Sequence, residues 1–285
     1  MNRKNKRLLT AVLILCIMIT LLASAQSACA TGDVPANAER IELTGSTANF
    51  SGSGVSVDGS VITISNAGSY ILSGTLENGK IVIDTGLSQE KCNLILDGVK
   101  ISNAEGSAIY VEQAKKVRIY MTEGTENIIT SGTEALLASF DDTRSGAAIY
   151  SEDDLDIKGP GMLIVNGYIN NGITCKDDFD LDDGTVEILA ANNGIRGSES
   201  VEIKAGKLTV VCGNDGLKAT SSKAGKGYIT ISGGTVSLSC GGDGISAITD
   251  VTVSGGDTTI VSSKIPIKTD GRICHVGGNL VRNGE

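Results

Sequence analysis

Short runs of Val, Ile, Leu and Thr recur along most of this chain, and turns rich in glycine separate them. Apolar and polar residues alternate within the runs, a pattern typical of strands with one buried face. The 285 residues include 37 Gly, only 3 Pro and no Trp. This composition predicts many short strands joined by tight turns, without long amphipathic helices.

The strand pattern is an internal repeat. Residues 148–157 recur as 172–181 and more loosely as 194–203, and further copies begin at Gly216 and Gly244. The equivalent apolar residues of the five copies are Ile149, Ile173, Ile195, Leu217 and Ile245. Their spacings are 24, 22, 22 and 28 residues, which excludes helical repeats and is too short for a propeller blade. We therefore predict an all-β fold, a parallel β-helix (β-solenoid) with about 22–24 residues per coil.

In such a fold each strand pairs with its counterpart one coil away, at a rise of ~4.8 Å. The strand pattern begins near Ile41 and continues almost to the C-terminus, which predicts a single domain over residues 31–285. Residues 131–146 are predicted to be a loop that leaves the wall of the solenoid. Residues 221–227 account for the longest spacing and form a second insertion.

Residues 1–30 have the features of a signal peptide: a basic head, a short apolar run and small residues ending at Ala28 and Ala30. Cys29 raises the alternative of a lipoprotein anchor. A lipobox has an aliphatic residue where this chain has Gln26, so secretion to the extracellular space or cell surface is favoured. The apolar run is short for a spanning helix, and no transmembrane segment is expected after cleavage.

The net charge of −9 argues against nucleic acid or an anionic membrane as a partner. Removal of the basic head makes the chain more acidic still, which is compatible with cation binding and also with a simple role in solubility. Five of the seven Cys lie beyond residue 30, without metal-ligand spacing. Cys212 and Cys240 are equivalent positions within disulfide reach, but Ala190 in the same column favours a buried stack of small residues. His275, the single histidine, is assigned no catalytic role.

Stacking of the coils predicts an acidic column. Asp153 is expected one rise from Asp177, and Asp154 one rise from Asp178. Two like charges ~5 Å apart repel by ~3 kcal/mol at an effective dielectric near 20, so a bound cation would relieve the strain. Oxygen ligands in irregular geometry suit Ca²⁺. A solvated acidic turn without an ion is the alternative.

A second column contains Asn171, Asn193, Asp215 and Asp243, each directly before a glycine. Such pairs are common in tight turns, and a ladder of side-chain hydrogen bonds is favoured for this column. Asp215 and Asp243 are nevertheless neighbouring carboxylates, and they are further candidate Ca²⁺ ligands.

A line of outward residues is predicted between the two columns, because each follows an inward apolar residue. The predicted ligand-binding residues are Tyr150, Thr174, Arg196, Lys218 and Ser246, and Tyr110 extends the line. An aromatic ring can stack on a sugar, and cations can pair with uronate carboxylates. The alternative is the ordinary mixture of polar residues on an exposed sheet.

At residues 148–155, 175–179, 193–197, 215–218 and 227–235, the sequence resembles the carbohydrate-binding β-helix family of secreted and surface proteins of clostridia and related bacteria. The similarity extends from about Ile41 to about Thr259. It implies a right-handed parallel β-helix that binds cellulose-like and pectic polysaccharides. It also implies bound calcium and a face similar to that of pectate lyases, without established lyase activity.

Carried over by position, the resemblance implies calcium near the four aspartates of the first column. The leading hypothesis is a secreted, non-catalytic protein that binds plant-cell-wall glycans with the help of calcium. The first alternative is a calcium-dependent pectate-type lyase with Lys218 or Arg196 as the base. The second is a structural surface stalk or adhesin. The sequence leaves the glycan and the oligomeric state open.

Overall fold

A computed structural model of the protein describes residues 34–88, 90–134 and 146–283. The predicted signal peptide and most of the predicted loop 131–146 lie outside these residues. The described residues form 28 strands and no α-helix, stacked as a solenoid of about eight turns. The predicted all-β solenoid is thereby confirmed. No helix within these ranges is long and apolar enough to cross a membrane.

The chain begins with seven strands and continues with seven coils of three strands each. The first seven strands are β1 (Glu39–Gly45), β2 (Ala48–Phe50), β3 (Val55–Asp58), β4 (Val61–Ile64), β5 (Gly68–Leu76), β6 (Lys80–Asp84) and β7 (Cys92–Asn103). The next four coils comprise β8 (Ile109–Gln113), β9 (Lys116–Met121), β10 (Glu126–Ser131), β11 (Ala147–Ser151), β12 (Asp154–Lys158), β13 (Met162–Gly167), β14 (Asn171–Cys175), β15 (Asp178–Leu181), β16 (Thr185–Ala190), β17 (Ile195–Gly197), β18 (Ser200–Ile203) and β19 (Lys207–Cys212). The last three coils comprise β20 (Leu217–Ala219), β21 (Tyr228–Ile231), β22 (Thr235–Cys240), β23 (Ile245–Ala247), β24 (Val251–Val253), β25 (Asp257–Ser262), β26 (Ile267–Thr269), β27 (Ile273–His275) and β28 (Asn279–Arg282).

These coils build three faces of parallel strands. We call the face made by the first strand of each coil the first face; it runs from β4 through β6 and β8 to β26. The second strands, from β9 to β27, form the second face, and the third strands, from β10 to β28, form the third face. The long strand β7 pairs with both β9 and β10, so the second and third faces diverge from it.

The predicted inward column on the first face is confirmed. Ile149 pairs with Ile173, Ile173 with Ile195, and the series continues through Leu217 to Ile245. All five side chains have no exposed surface. The 28-residue spacing leaves the register intact, because the additional residues lie between β20 and β21. Residues at equivalent positions of successive coils are therefore neighbours in space throughout this region.

The N-terminal end differs from the purely parallel expectation. β1 pairs antiparallel with β2, and β3 pairs antiparallel with β4. Only two residues connect the strands of each pair, and a parallel pair needs a much longer crossover. Gly45 (φ 92°) and Gly59 (φ 56°) provide the left-handed backbone that these tight turns require.

Candidate functional site

The acidic column lies where the sequence predicts it, at the entry to the second face. Leu155 pairs with Phe179, which places Asp154 beside Asp178. The backbone N–H of Asp178 donates a hydrogen bond of 3.3 Å to Oδ1 of Asp154. Asp153 Oδ2 accepts a 2.7 Å hydrogen bond from the backbone N–H of Ala114. The predicted adjacency of the two aspartate pairs is therefore present.

The crowding of these carboxylates changes their proton affinity. Burial raises the pKa of Asp154, and the charges of Asp178 and Asp156 add to this effect. Burial also raises the pKa of Asp177, with further contributions from Glu199, Asp154 and Asp153. Both shifts disfavour the ionised form, which is the expected effect of crowding carboxylates in a partly buried column.

The structure adds two residues that the sequence reasoning missed, Glu199 and Lys226. Lys226 belongs to the insertion 221–227, and its Nζ lies 2.8 Å from Glu199 Oε2 and 3.2 Å from Asp178 Oδ2. Hydrogen bonding from Lys226 holds the pKa of Glu199 below its ordinary value. Ser200 Oγ donates a hydrogen bond of 2.7 Å to Oδ1 of Asp178. Both oxygens of Asp178 are thus engaged, and the insertion acts as an internal counter-ion.

Carboxylate oxygens without a hydrogen-bond partner remain on the other three aspartates. Within the described residues, Asp153 Oδ1, Asp154 Oδ2 and the carboxylate of Asp177 accept no hydrogen bond. The same residues contain no group of three or more His, Cys, Asp or Glu side chains arranged to hold a metal ion. The donor chemistry therefore fits a hard cation such as Ca²⁺, but the side chains do not converge as a finished coordination sphere.

Next to this column, Asp156 forms a buried ion cluster on the second face. Its side chain lies 2.7 Å from Lys116 Nζ and 2.9 Å from a guanidinium nitrogen of Arg118. Burial alone would raise its pKa, but the hydrogen bonds from Lys116 and Arg118 outweigh that effect and lower it. Asp156 is therefore a structural anion rather than an available ligand.

The second predicted column is a hydrogen-bond ladder at the start of the first face. Oδ1 of Asn171 accepts from the backbone N–H of Asn193 (3.1 Å), and Oδ1 of Asn193 from that of Asp215 (3.2 Å). Oδ1 of Asp215 accepts from Asp243 (2.9 Å), and Oδ1 of Asp243 from Ile265 (3.1 Å). The four Asx side chains are all buried. The favoured interpretation, a structural ladder, matches this geometry.

The remaining oxygens of the two ladder aspartates face cations. Lys218 Nζ lies 2.7 Å from Asp215 Oδ2, and Lys268 Nζ lies 3.5 Å from Asp243 Oδ2. Each carboxylate is thus occupied on one side by backbone and on the other by an ammonium group. Neither Asp215 nor Asp243 therefore has an unpaired carboxylate oxygen for Ca²⁺.

The predicted outward line forms a continuous column on the first face. Tyr110 pairs with Tyr150, and Thr174, Arg196, Lys218 and Ser246 follow in register. Thr174 is buried despite its outward position, with only 2% of its surface exposed, and its Oγ1 accepts a hydrogen bond from Asn171 Nδ2. It is therefore poorly placed to contact a ligand.

The two tyrosines form a stacked pair. Their ring centroids are 5.5 Å apart with an interplanar angle of 21°. The hydroxyl group of Tyr150 donates a hydrogen bond of 2.8 Å to Glu152 Oε1, which fixes the orientation of that ring. The pair presents a rigid aromatic surface at the N-terminal part of the first face.

A groove of about 630 Å³ adjoins this pair. It is lined by the beginnings of the first-face strands and by the turn between β7 and β8. Its lining residues are Ser60, Val61, Asn78, Gly79, Lys80, Asn103, Glu105, Gly106, Ser107, Tyr110, Gly146 and Tyr150. The sequence reasoning missed this groove, because the earlier coils are degenerate copies of the repeat.

The remaining candidate residues have structural surroundings. Cys212 and Cys240 are register partners, as predicted, and both are buried free thiols. Cys212 Sγ donates to the backbone oxygen of Asp215 at 3.3 Å. His275 is exposed on β27, with Nε2 3.2 Å from the backbone oxygen of Gly278.

The three-faced parallel solenoid is the fold of a solved polysaccharide lyase-like protein. A solved structure of a polysaccharide lyase-like protein from C. thermocellum superposes with a TM-score of 0.78 at 32% sequence identity. The match covers 85% of this chain and 99% of the solved chain.

The chain belongs to the carbohydrate-binding domain family. The family described as "Carbohydrate-binding domain-containing protein" matches residues 58–272. A protein of the same description from Acetivibrio thermocellus is 37% identical over 137 residues, which are 48% of this chain and 48% of the relative. The chain thus matches about half the length of that curated relative. The resemblance read from the sequence is confirmed.

Proposed function

We propose that this protein is secreted and binds pectic or cellulosic polysaccharides of the plant cell wall without cleaving them. Membership of a carbohydrate-binding family supports glycan binding in general. The observation that carries the proposal is the stacked pair of Tyr110 and Tyr150 beside an open groove. Aromatic rings combined with a few polar groups in a preformed depression are the usual basis of small-ligand recognition.

The geometry supports binding over elimination chemistry. A lyase base must be free to reach the proton that it abstracts, yet Lys218 Nζ lies 2.7 Å from the carboxylate of buried Asp215. This ion pair holds the amine in place and works against proton abstraction. The guanidinium of Arg196 is a hydrogen-bond donor without an acceptor atom, and it donates to Thr220 Oγ1 at 3.4 Å. Neither candidate base has surroundings that favour catalysis.

Calcium at the first acidic column is the second part of the proposal. Asp153, Asp154 and Asp177 would provide carboxylate oxygens, and Asp178 would join them if it were released from Lys226. When bound, such an ion would neutralise the repulsion within the column.

One experiment separates the three hypotheses. Purified protein lacking residues 1–30 is incubated with insoluble cellulose, pectate and an unrelated glycan control, with Ca²⁺ and with EDTA, and depletion from solution is measured. The same protein is mixed with polygalacturonate and Ca²⁺ while the absorbance of unsaturated product is followed. Depletion without new absorbance is expected. Growing absorbance would establish a lyase instead, and no depletion on any glycan would leave the structural stalk.

A further inference from the structure

The groove beside the tyrosine pair has the features of a sugar subsite. We propose that it binds an uncharged pyranose unit of a polysaccharide, stacked on the ring of Tyr110. This inference rests on the proposed function, since it names the part of the surface and the class of sugar through which glycan binding occurs. It does not involve the aspartates of the acidic column, none of which lines the groove.

The shape of the aromatic platform follows from the register of the first face. Tyr150 covers one side of the Tyr110 ring, and Val82 is the register partner on the other side. Val82 is buried and does not line the groove, whereas Tyr110 does, so the side of the platform away from Tyr150 borders the groove. A flat aromatic ring is suited to the flat face of a pyranose.

The polar wall of the groove is held in place before any ligand arrives. Asn103 Oδ1 accepts from the backbone N–H of Glu105 at 3.1 Å, and its Nδ2 donates to the backbone oxygen of Ser107 at 3.0 Å. Oδ1 of Asn78 accepts from the backbone N–H of Ala104 at 3.1 Å, which links the turn to the coil below. A pre-organised site loses less conformational entropy on binding.

Two charged groups in the groove are available to sugar hydroxyls. The described residues supply no ion-pair partner to Lys80 or Glu105, although both line the groove. An ammonium group and a carboxylate at one site provide a strong donor and a strong acceptor. A hydroxyl group can serve as acceptor to the first and donor to the second, so the pair fits a neutral polyhydroxylated ligand without leaving net charge.

The electrostatic surroundings favour a neutral sugar over a uronate. Burial raises the pKa of Tyr110, and the nearby carboxylates of Glu152 and Glu112 raise it further. These carboxylates place negative charge beside the platform, which repels a second carboxylate on the ligand. Cations do not reverse this: the groove lining contains one ammonium group, Lys80, and one carboxylate, Glu105, whose charges cancel, and Lys218 farther along the face is paired with Asp215.

The test is a calorimetric titration of the protein with cellohexaose and, in parallel, with hexagalacturonate. We expect cellohexaose to bind more tightly, and we expect its affinity to be unchanged by EDTA. Tyr110→Ala should weaken cellohexaose binding about tenfold or more through loss of the stacking surface, whereas Tyr110→Phe should retain it. Tyr228→Ala is the matched control, because that hydroxyl bonds Glu202 elsewhere on the surface.

A second variant keeps the test independent of the stability of the tyrosine pair. A Cβ at Gly106 would meet only Asn103 Nδ2, at 3.7 Å, so this position in the groove lining tolerates a side chain, and Gly106→Trp is expected to fill the groove. It should abolish cellohexaose binding while the thermal melt stays unchanged. Glycan binding that survives both Tyr110→Ala and Gly106→Trp would overturn the groove assignment alone. Tighter binding of hexagalacturonate in the groove would overturn the neutral-sugar assignment. Absence of binding to any glycan would instead sink the proposed function itself.

Discussion

The carboxylate of Asp178 lies 3.2 Å from the ammonium group of Lys226, a residue 48 positions farther along the chain. The contact exists because the insertion 221–227 folds back over the acidic column, two coils away from Asp178. Lys226 also binds Glu199, so a single cation offsets two carboxylates. The column therefore contains its own partial substitute for a metal ion.

Replacement of that cation should expose the underlying repulsion. Lys226→Gln is expected to lower the free energy of unfolding by about 1 kcal/mol in EDTA, since the pair is only partly buried. Added Ca²⁺ should restore more stability to the variant than to the wild type, because Asp178 becomes available. Urea unfolding with and without Ca²⁺ measures both effects. Lys223→Gln is the control, since its ammonium is largely exposed and 3.4 Å from Glu199. Equal responses of the two variants would contradict a counter-ion role for Lys226.

Calcium should stabilise the protein through Asp177 and its neighbours. A ligand present at 100 times its Kd stabilises the folded state by about 2.7 kcal/mol, which corresponds to several degrees in Tm. Asp177→Asn should remove most of that increase, and the exposed Asp257→Asn on β25 should leave it unchanged. Differential scanning calorimetry with Ca²⁺, Mg²⁺ and EDTA provides the measurement. If the Tm of the wild type is the same with and without Ca²⁺, the calcium proposal is wrong.

Asp156 should make stability depend on pH in the acidic range. Its pKa is lowered in the folded state, so its stabilising contribution is complete above the unfolded value of about 3.9. That contribution disappears as the pH falls through the folded-state pKa. Asp156→Asn leaves Lys116 and Arg118 without their shared anion, and we expect a loss of about 3 kcal/mol at pH 7.

At pH 3 the difference between wild type and Asp156→Asn should shrink, because below the unfolded pKa of about 3.9 the unfolded carboxyl group binds a proton more readily than the folded one. Urea unfolding at both pH values tests this, with the exposed Asp58→Asn as the control. A difference of equal size at the two pH values would show that Asp156 acts through packing rather than charge.

The Asx ladder should be sensitive to truncation of a single residue. Asn193→Ala removes the acceptor of the buried Asp215 N–H and a 2.8 Å bond from Asn193 Nδ2 to Asn171. A loss of about 1–3 kcal/mol is expected, the cost of leaving buried polar groups unpaired. Asn214→Ala, in the more exposed ladder beside it, should cost less. Chemical denaturation ranks the two variants, and the opposite order would count against the ladder as a source of stability.

The buried thiols should be unreactive in the native state. Burial raises the pKa of Cys92 to about 12 and also raises that of Cys175. The hydrogen bond with Cys212, together with burial, raises the pKa of Cys240. In protein lacking residues 1–30, a thiol reagent at pH 8 should modify Cys274 first and the other four only after unfolding. Rapid modification of Cys212 and Cys240 in the native protein would show that the third face opens locally near β19 and β22.

The sequence predicts the middle of the solenoid well because its repeats are regular there. Once Ile149, Ile173 and Ile195 are aligned, the pleat of the strands dictates which neighbours face outward, and Asp154 must lie beside Asp178. The antiparallel pairs β1–β2 and β3–β4 lie outside the repeat, so the repeat spacing does not predict them. Their short glycine turns were the available signal.

The functional surface was only partly predictable for a related reason. Periodicity reveals contacts between equivalent positions, such as Tyr110 with Tyr150, but not contacts made by a loop of unique length. Lys226 reaches Asp178 through such a loop, and Asn103 to Ser107 line the groove from another turn. Thr174 is buried between its register partners Tyr150 and Arg196 and bonded to Asn171, although the alternation of the strand predicts an outward, exposed side chain.

The register between Leu217 and Ile245 survives an insertion of several residues. The strand pairing of the three faces is thus independent of the length of the turns that join them. A change in the length of one of these turns can bring a new charged side chain over the acidic column, or change the shape of the groove, without disturbing any strand pair. Ligand selectivity can therefore change through the turns, while the paired strands continue to provide the stability of the fold.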